Sequence, residues 1–184
     1  MLVFSSPAIG KRSEKDKVEY IYRQYYPLMR YAAGRALGGD GQDAEDAVHD
    51  AMIKVIKNIG IIDVADQTRL KNLLCVIVRN CAMDRLRKKG NRNEFLSEIP
   101  EDLSDTAPLP EQAVANEDTL DAILKTIGSL PEIYRGPCVL KYFHGYKEKE
   151  IAALLGIPEK TASTRIHRGK MVLRDALRKE GYHE

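Results

Sequence analysis

Apolar residues recur three and four positions apart along most of this chain, the spacing of a helix face, and no stretch alternates as a strand would. Val18, Ile21, Tyr22, Tyr25, Met29, Ala32, Ala33 and Ala36 trace a first helix. Ser13-Glu14-Lys15-Asp16 before it fits a capping box, and Pro27 inside it is expected to bend or split it. Gly38-Gly39-Asp40-Gly41 is a break. A second helix is expected from about Gln42 to Asn58, burying Val48, Met52, Val55, Ile56 and, just beyond, Ile59. Residues 60–67 read as an irregular link. A long helix follows from about Thr68 to Lys89, with Leu70, Leu73, Leu74, Ile77 and Cys81 on its core face and Arg79, Asn80, Met83 and Arg87 on another.

Periodicity then lapses over residues 93–116, which are acidic and proline-bearing and read as an interdomain linker. Helix resumes near Glu117 with the stripe Leu120, Ile123, Leu124 and Ile127, and stops at Gly128-Ser129. Pro131 opens the next helix, expected to bury Val139, Leu140 and Phe143, to kink in its first turns at Pro137 and to close at His144-Gly145. Ile151, Leu154, Leu155 and Ile166 then lie at helical spacing on either side of Gly156-Ile157-Pro158. Glycine accepts the positive φ that ends a helix and proline is tolerated in a first turn, so the stretch reads helix, short turn, helix. The chain is therefore expected to be all-α, with two small helical domains over 13–92 and 117–184, a disordered tail over 1–12, and the linker between.

The formal net charge of +2 over 184 residues conceals strong segregation. Residues 40–50 carry acids and no Lys or Arg, residues 85–92 are basic, residues 93–124 lack Lys and Arg, and residues 160–179 are basic again. Such blocks imply separate surfaces for partners of opposite charge. The acids Asp43, Glu45, Asp46 and Asp50, with His49, either serve the macrodipole of the second helix or face outward to dock another protein. Arg85, Arg87, Lys88, Lys89 and Arg92 exceed what a helix C-terminus needs and suit a phosphate backbone. After Pro158 the final helix begins with Thr161, Ser163 and Thr164 and continues through Arg165, His167, Arg168 and Lys170. Small hydroxyls at the start and arginines beyond are how a helix entering the major groove is built, although a solvated basic helical hairpin has the same pattern.

Cys75, Cys81 and Cys138 include no CxxC, and the four histidines are scattered, so neither a metal site nor a disulfide framework is expected. No phosphate-binding loop or nucleophile–base spacing stands out, so no catalytic residues and no cofactor are assigned. No apolar run approaches a membrane span and the amino terminus does not resemble a secretory signal, which points to the cytoplasm.

Five segments in this order carry a resemblance: YYPLMRYAAGRAL, DAEDAVHDAMIKVIK, RLKNLLCVIVRNCAMDRLRKK, LPEIYRGPCVLKYFHGY and EIAALLGIPEKTASTRIHRGKMVLRDAL. Together the chain resembles the extracytoplasmic-function class of bacterial sigma factors over about residues 18–180. The resemblance implies a non-enzymatic subunit that binds core RNA polymerase, through the β′ clamp and the β flap, and promoter DNA. It also implies an anti-sigma partner and a location on the nucleoid when polymerase-bound. It assigns polymerase docking to Asp43, Glu45, Asp46, His49 and Asp50. It assigns the −10 element to Asn80, Arg85, Arg87, Lys88 and Lys89, and the −35 element to Thr161, Ser163, Thr164, Arg165 and Arg168. The acidic linker resembles the family's segment that threads the polymerase channels.

The chain departs from the family's pattern at Leu70-Lys71-Asn72-Leu73-Leu74, which replaces a Phe-x-x-Trp-Leu spacing, and it contains no Trp. Ala162 stands for a usual valine, Pro158 for a capping serine, and Gly136-Pro137 is atypical. The competing reading is a helix-turn-helix regulator that acts without polymerase. It accounts for residues 130–180 but not for the acidic helix or the Asn80 helix.

Overall fold

The structure is a computed structural model describing residues 13–39, 41–88 and 126–179, with side chains in the last helix described to residue 175. The tail over 1–12, the linker over 93–116 and the helix start near Glu117 lie outside the described residues. Among the described residues every regular element is helical. In order they are α1 (Glu14–Leu37), α2 (Gln42–Lys57), a 3-10 turn (Ile59–Ile61), α3 (Gln67–Lys88), α4 (Glu132–Cys138), a π-helical turn (Val139–Phe143), α5 (Glu148–Leu155) and α6 (Glu159–Lys179). Residues 126–129 close a further helix before α4. The chain divides into two compact units with the boundary after Arg85.

In the first unit, Ser13 caps α1 as its sequence predicts. Its hydroxyl accepts the Asp16 N–H and the Asp16 carboxylate accepts the Ser13 N–H, each at 3.2 Å. Of the two outcomes expected at Pro27, a bend or a split, the split does not occur: α1 runs through it without interruption. The proline lies on an exposed side, as does Arg23, whose carbonyl the missing N–H leaves without a helical donor, so water can satisfy that group. Gly38, at φ 74°, ends the helix in the left-handed conformation. α1 packs on α2 and on the 3-10 turn. The buried stripe of α2 is Ala44, Ala47, Val48, Ala51, Met52 and Val55. Ile56, expected in that stripe, is 50% exposed, as is Ile53 at 51%. Three alanines let α2 approach its neighbours closely, and the buried arc is centred on them rather than on the isoleucines. On α3, Leu70, Leu73, Leu74, Ile77 and Cys81 are all buried, joined by Val78 and Ala82. Burial of each large aliphatic side chain there contributes about 1.5–3 kcal/mol.

In the second unit, α4 and α5 both pack on α6. The expected kink at Pro137 appears differently. The first turns of α4 are regular, and the chain widens after Pro137, where the His144 N–H reaches the Val139 carbonyl at 3.2 Å. Of the three residues expected to be buried there, Leu140 is fully so, while Val139 and Phe143 are partly exposed. Arg135 is buried because it does a backbone's work: Nη2 donates to the Leu130 carbonyl at 2.8 Å, beside Glu132 at 3.1 Å. At Gly169 the α4–α6 crossing is so close that an added Cβ would run into Cys138 Sγ and lie 3.3 Å from Tyr134 Cβ.

Candidate nucleic-acid and protein interfaces

The turn between α5 and α6 positions the first candidate interface. Gly156, at φ 67°, ends α5, and its N–H bonds the Ala152 and Ala153 carbonyls. At the other end of α5 the Glu150 carboxylate accepts the Lys147 N–H at 2.7 Å. The Lys147 ammonium can only donate, so this is half a capping box. α6 turns Ala162, Ile166 and Gly169 inward, at successive spacings of four and three. Ala162 is fully buried, at the place where the chain departs from the usual valine.

The opposite side of α6 exposes Lys160, Thr164, His167 and Arg168, and Lys170 is exposed on a flank. At 100° per residue, Thr161, Thr164, Arg165 and Arg168 share one stripe, whereas Ser163 falls on the other flank with Lys170. Thr164 Oγ also donates to the Lys160 carbonyl at 2.8 Å, which leaves its lone pairs for an external donor. A helix held by one apolar stripe, with a hydroxyl- and arginine-bearing stripe outward, can lie in a groove of duplex DNA.

The second candidate interface lies on α2 and α3. The five residues assigned to docking do not form a uniform outward patch. Glu45 turns toward α1, where its carboxylate lies 3.9 Å from Arg30. Asp46 and Asp50 turn toward α3, where both meet Arg85. His49 is exposed and Asp43 half-exposed. Of the residues assigned to the −10 element, Arg87 and Lys88 are exposed and Lys89 lies outside the described residues. Asn80 is half-exposed, and its Nδ2 donates to Asp84 Oδ2 at 3.3 Å, one turn on.

Arg85 departs from the others. It follows Cys81 by four residues, so it continues the buried stripe of α3 and reaches across to α2. That spacing was readable in the sequence; its basic neighbours obscured it. Beneath it, burial pushes the Cys81 thiol up from its ordinary value, while Lys54, hydrogen-bonded to it, opposes the shift. Among the described residues no group of three or more His, Cys, Asp or Glu could hold a metal ion, and no helix is long and apolar enough to cross a membrane.

Comparison with known proteins places these two units in order. Residues 21–92 match sigma-70 region 2, and residues 120–173 match sigma-70 region 4. The chain is 32% identical to the ECF RNA polymerase sigma factor SigW of Bacillus subtilis, over 91% of this chain and 92% of that protein. It is 30% identical to ECF sigma factor SigL of Mycobacterium tuberculosis, over 84% of each. It is also 30% identical to ECF sigma factor SigE of Mycolicibacterium smegmatis, over 94% of this chain and 66% of that protein.

Proposed function

We propose, from the premise that this chain belongs to the extracytoplasmic-function RNA polymerase sigma factors, a division of labour between its two units. The chain directs promoter-specific initiation by core RNA polymerase. In our reading the α2 face bearing Asp43, Asp46, His49 and Asp50, flanked by Glu45, docks the core enzyme. Asn80 reads an unstacked base of the −10 element, and Arg87, Lys88 and Lys89 hold phosphates. An amide offers both donor and acceptor to an extruded base edge, which suits Asn80 to that place. Thr161, Thr164, Arg165 and Arg168 read the −35 duplex from one stripe, and Ser163 contacts its flank. The chain carries no chemistry of its own in this reading; it acts in the cytoplasm, on the nucleoid, as a binding subunit.

The observation that carries the reading is the order of the parts. A region 2 unit with an acidic helix precedes a helix-turn-helix whose second helix turns arginines outward. A regulator acting alone would need only the second. The test is gel filtration and transcription in vitro. The full chain is expected to co-elute with bacterial core polymerase and to confer initiation at a discrete start site on a genomic template library. Duplex binding by the pure chain, with no retention on core polymerase, would overturn the reading.

A further inference from the structure

Arg85 makes three contacts with two acids of the preceding helix. Nη1 donates to Asp46 Oδ2 at 3.0 Å, Nη2 lies 2.8 Å from Asp50 Oδ2, and Nε donates to that same oxygen at 3.0 Å. The Arg85 side chain is 26% exposed, against 36% for Asp46 and 45% for Asp50. The guanidinium therefore approaches the carboxylates from the core side and leaves their outer edges reachable. Each acid gives Oδ2 to the arginine. Asp46 Oδ1 accepts from Gln42 Nε2 at 3.3 Å, so this carboxylate is held at both oxygens.

Asp46 and Asp50 are one helical turn apart, where two like charges repel and would splay. A planar, permanently charged fork that bridges them neutralises the repulsion and fixes both side-chain orientations. Fixing them before docking removes part of the ordering cost that binding otherwise carries. A phosphate ligand would need the opposite arrangement, with the guanidinium directed outward.

On the reading of α2 as the docking face, we propose that Arg85 is a positioning residue for core-polymerase recognition. It presets the carboxylates of Asp46 and Asp50, and it is not a phosphate ligand of the −10 strand.

The experiment uses the full chain and bacterial core polymerase, with Arg85→Ala, Arg85→Lys, Asp46→Asn/Asp50→Asn and the combination of Arg85→Ala with both asparagines. Two quantities are read: affinity for core polymerase, and the salt dependence with which the assembled holoenzyme binds single-stranded −10 DNA. Circular dichroism of each variant reports the fold. Arg85→Ala is expected to weaken core affinity roughly tenfold, the scale of losing a group that orients a ligating side chain. Arg85→Lys, which keeps the charge and the fold but cannot fork across two carboxylates, should fall between. In the asparagine background Arg85→Ala should cost nothing further. The salt slope on −10 DNA should stay unchanged.

Unchanged or tighter core binding by Arg85→Ala would overturn the proposal, the tighter case meaning that the arginine masks the acids. Wild-type core affinity of Arg85→Lys would overturn it even if the alanine variant failed to fold. A salt slope shallower by about 0.7 would make Arg85 a phosphate ligand and overturn it equally. The underlying reading fails separately: if Asp46→Asn/Asp50→Asn leaves core affinity intact, α2 is not the docking face. If that pair weakens binding and Arg85→Ala does not, only the positioning role is lost.

Discussion

The two units treat charge in opposite ways. In the first unit charge is met by partners within the protein: Asp46 and Asp50 on α2 by Arg85 on α3, Asp84 by Asn80 one turn back on α3, and Glu45, more exposed, by Arg30 on α1. On α6, Lys160 and Arg168 on the outer side and Lys170 on a flank are exposed, on a helix held by one apolar stripe. Paired, half-buried charges present a fixed pattern, which suits a protein partner of fixed shape. Exposed cations on long stems suit a phosphate backbone, where binding tracks counterion release rather than one geometry. The contrast predicts that mutations in the two units will differ in kind: geometry-sensitive in the first, salt-sensitive in the second.

The largest effect is expected on α6. Arg165→Ala with Arg168→Ala should lower affinity for a −35 duplex by about 1–3 kcal/mol for each arginine that makes a bidentate base contact. Where the contact is to phosphate, the loss should be equal on all sequences and the salt slope should shrink by about 0.9 per arginine. Core-polymerase affinity should not move. Gel shifts at several salt concentrations, on matched and scrambled duplexes, separate these cases. A double variant that binds both duplexes normally would remove the contrast between the units.

Next is the seam that holds α6 in place. Gly169→Ala puts a Cβ into Cys138 Sγ, so one side chain must shift in a closed crossing. Overpacking of this kind costs about 1–3 kcal/mol. Cys138→Ala removes the clashing sulfur, so the double variant should recover most of the loss in a urea melt of the full chain. Failure to recover would place the strain on Tyr134 instead. If Gly169→Ala is harmless, the crossing is looser than its geometry.

Much of this was legible from the sequence. The capping box at Ser13, the glycine stops at Gly38 and Gly156, and the apolar stripe of α3 all fall where spacing put them. These features are local: a cap or a stop is set by residues within one turn. What escaped was decided by neighbours distant in sequence. Ile56 was expected inside because periodicity gives an arc of a helix, and the three alanines beside it, which set where that arc is centred, are weak signals. Pro27 reads as a bend or a split in α1, and the helix is not split because the proline lies on an exposed side. The partners of Arg85 lie 35 and 39 residues away, so its commitment to Asp50 and Asp46 had no local signature beyond its place on the α3 stripe. Of the candidate sites, the α6 stripe could be listed from helix spacing almost entirely, while the division of the α2 acids between α1 and α3 could not.

A smaller effect follows from Cys138 itself. Burial pushes this thiol up to about 11 from its ordinary 9.0. Its folded value lies above its unfolded one, so its contribution to stability is fully present below about pH 9 and is lost as the pH rises toward 11. Urea melts of wild type and Cys138→Ala, compared from pH 8 to 10.5, should therefore converge as the pH rises. Curves that stay parallel would mean the thiol titrates normally. In the first unit, where Cys81 is also raised but faces Lys54, the corresponding Cys81→Ala comparison should converge less.

The smallest effect is the most discriminating for the docking face. Glu45 stands 3.9 Å from Arg30, with 40% and 39% of the two side chains exposed, so this pair is weak: about 0–1 kcal/mol at most, and screened by salt. Its carboxylate turns toward α1, away from the Asp46–Asp50 edge. Glu45→Gln should therefore shift the urea midpoint by under about 0.5 kcal/mol in equivalent stability. It should also weaken core-polymerase binding less than Asp46→Asn or Asp50→Asn does. Surface plasmon resonance at two salt concentrations would rank the three single variants. If Glu45→Gln costs as much affinity as either aspartate, the partner contacts the α1 side of α2 as well. The docking face would then extend round α2 to its α1 side rather than stop at the edge that Arg85 holds in place.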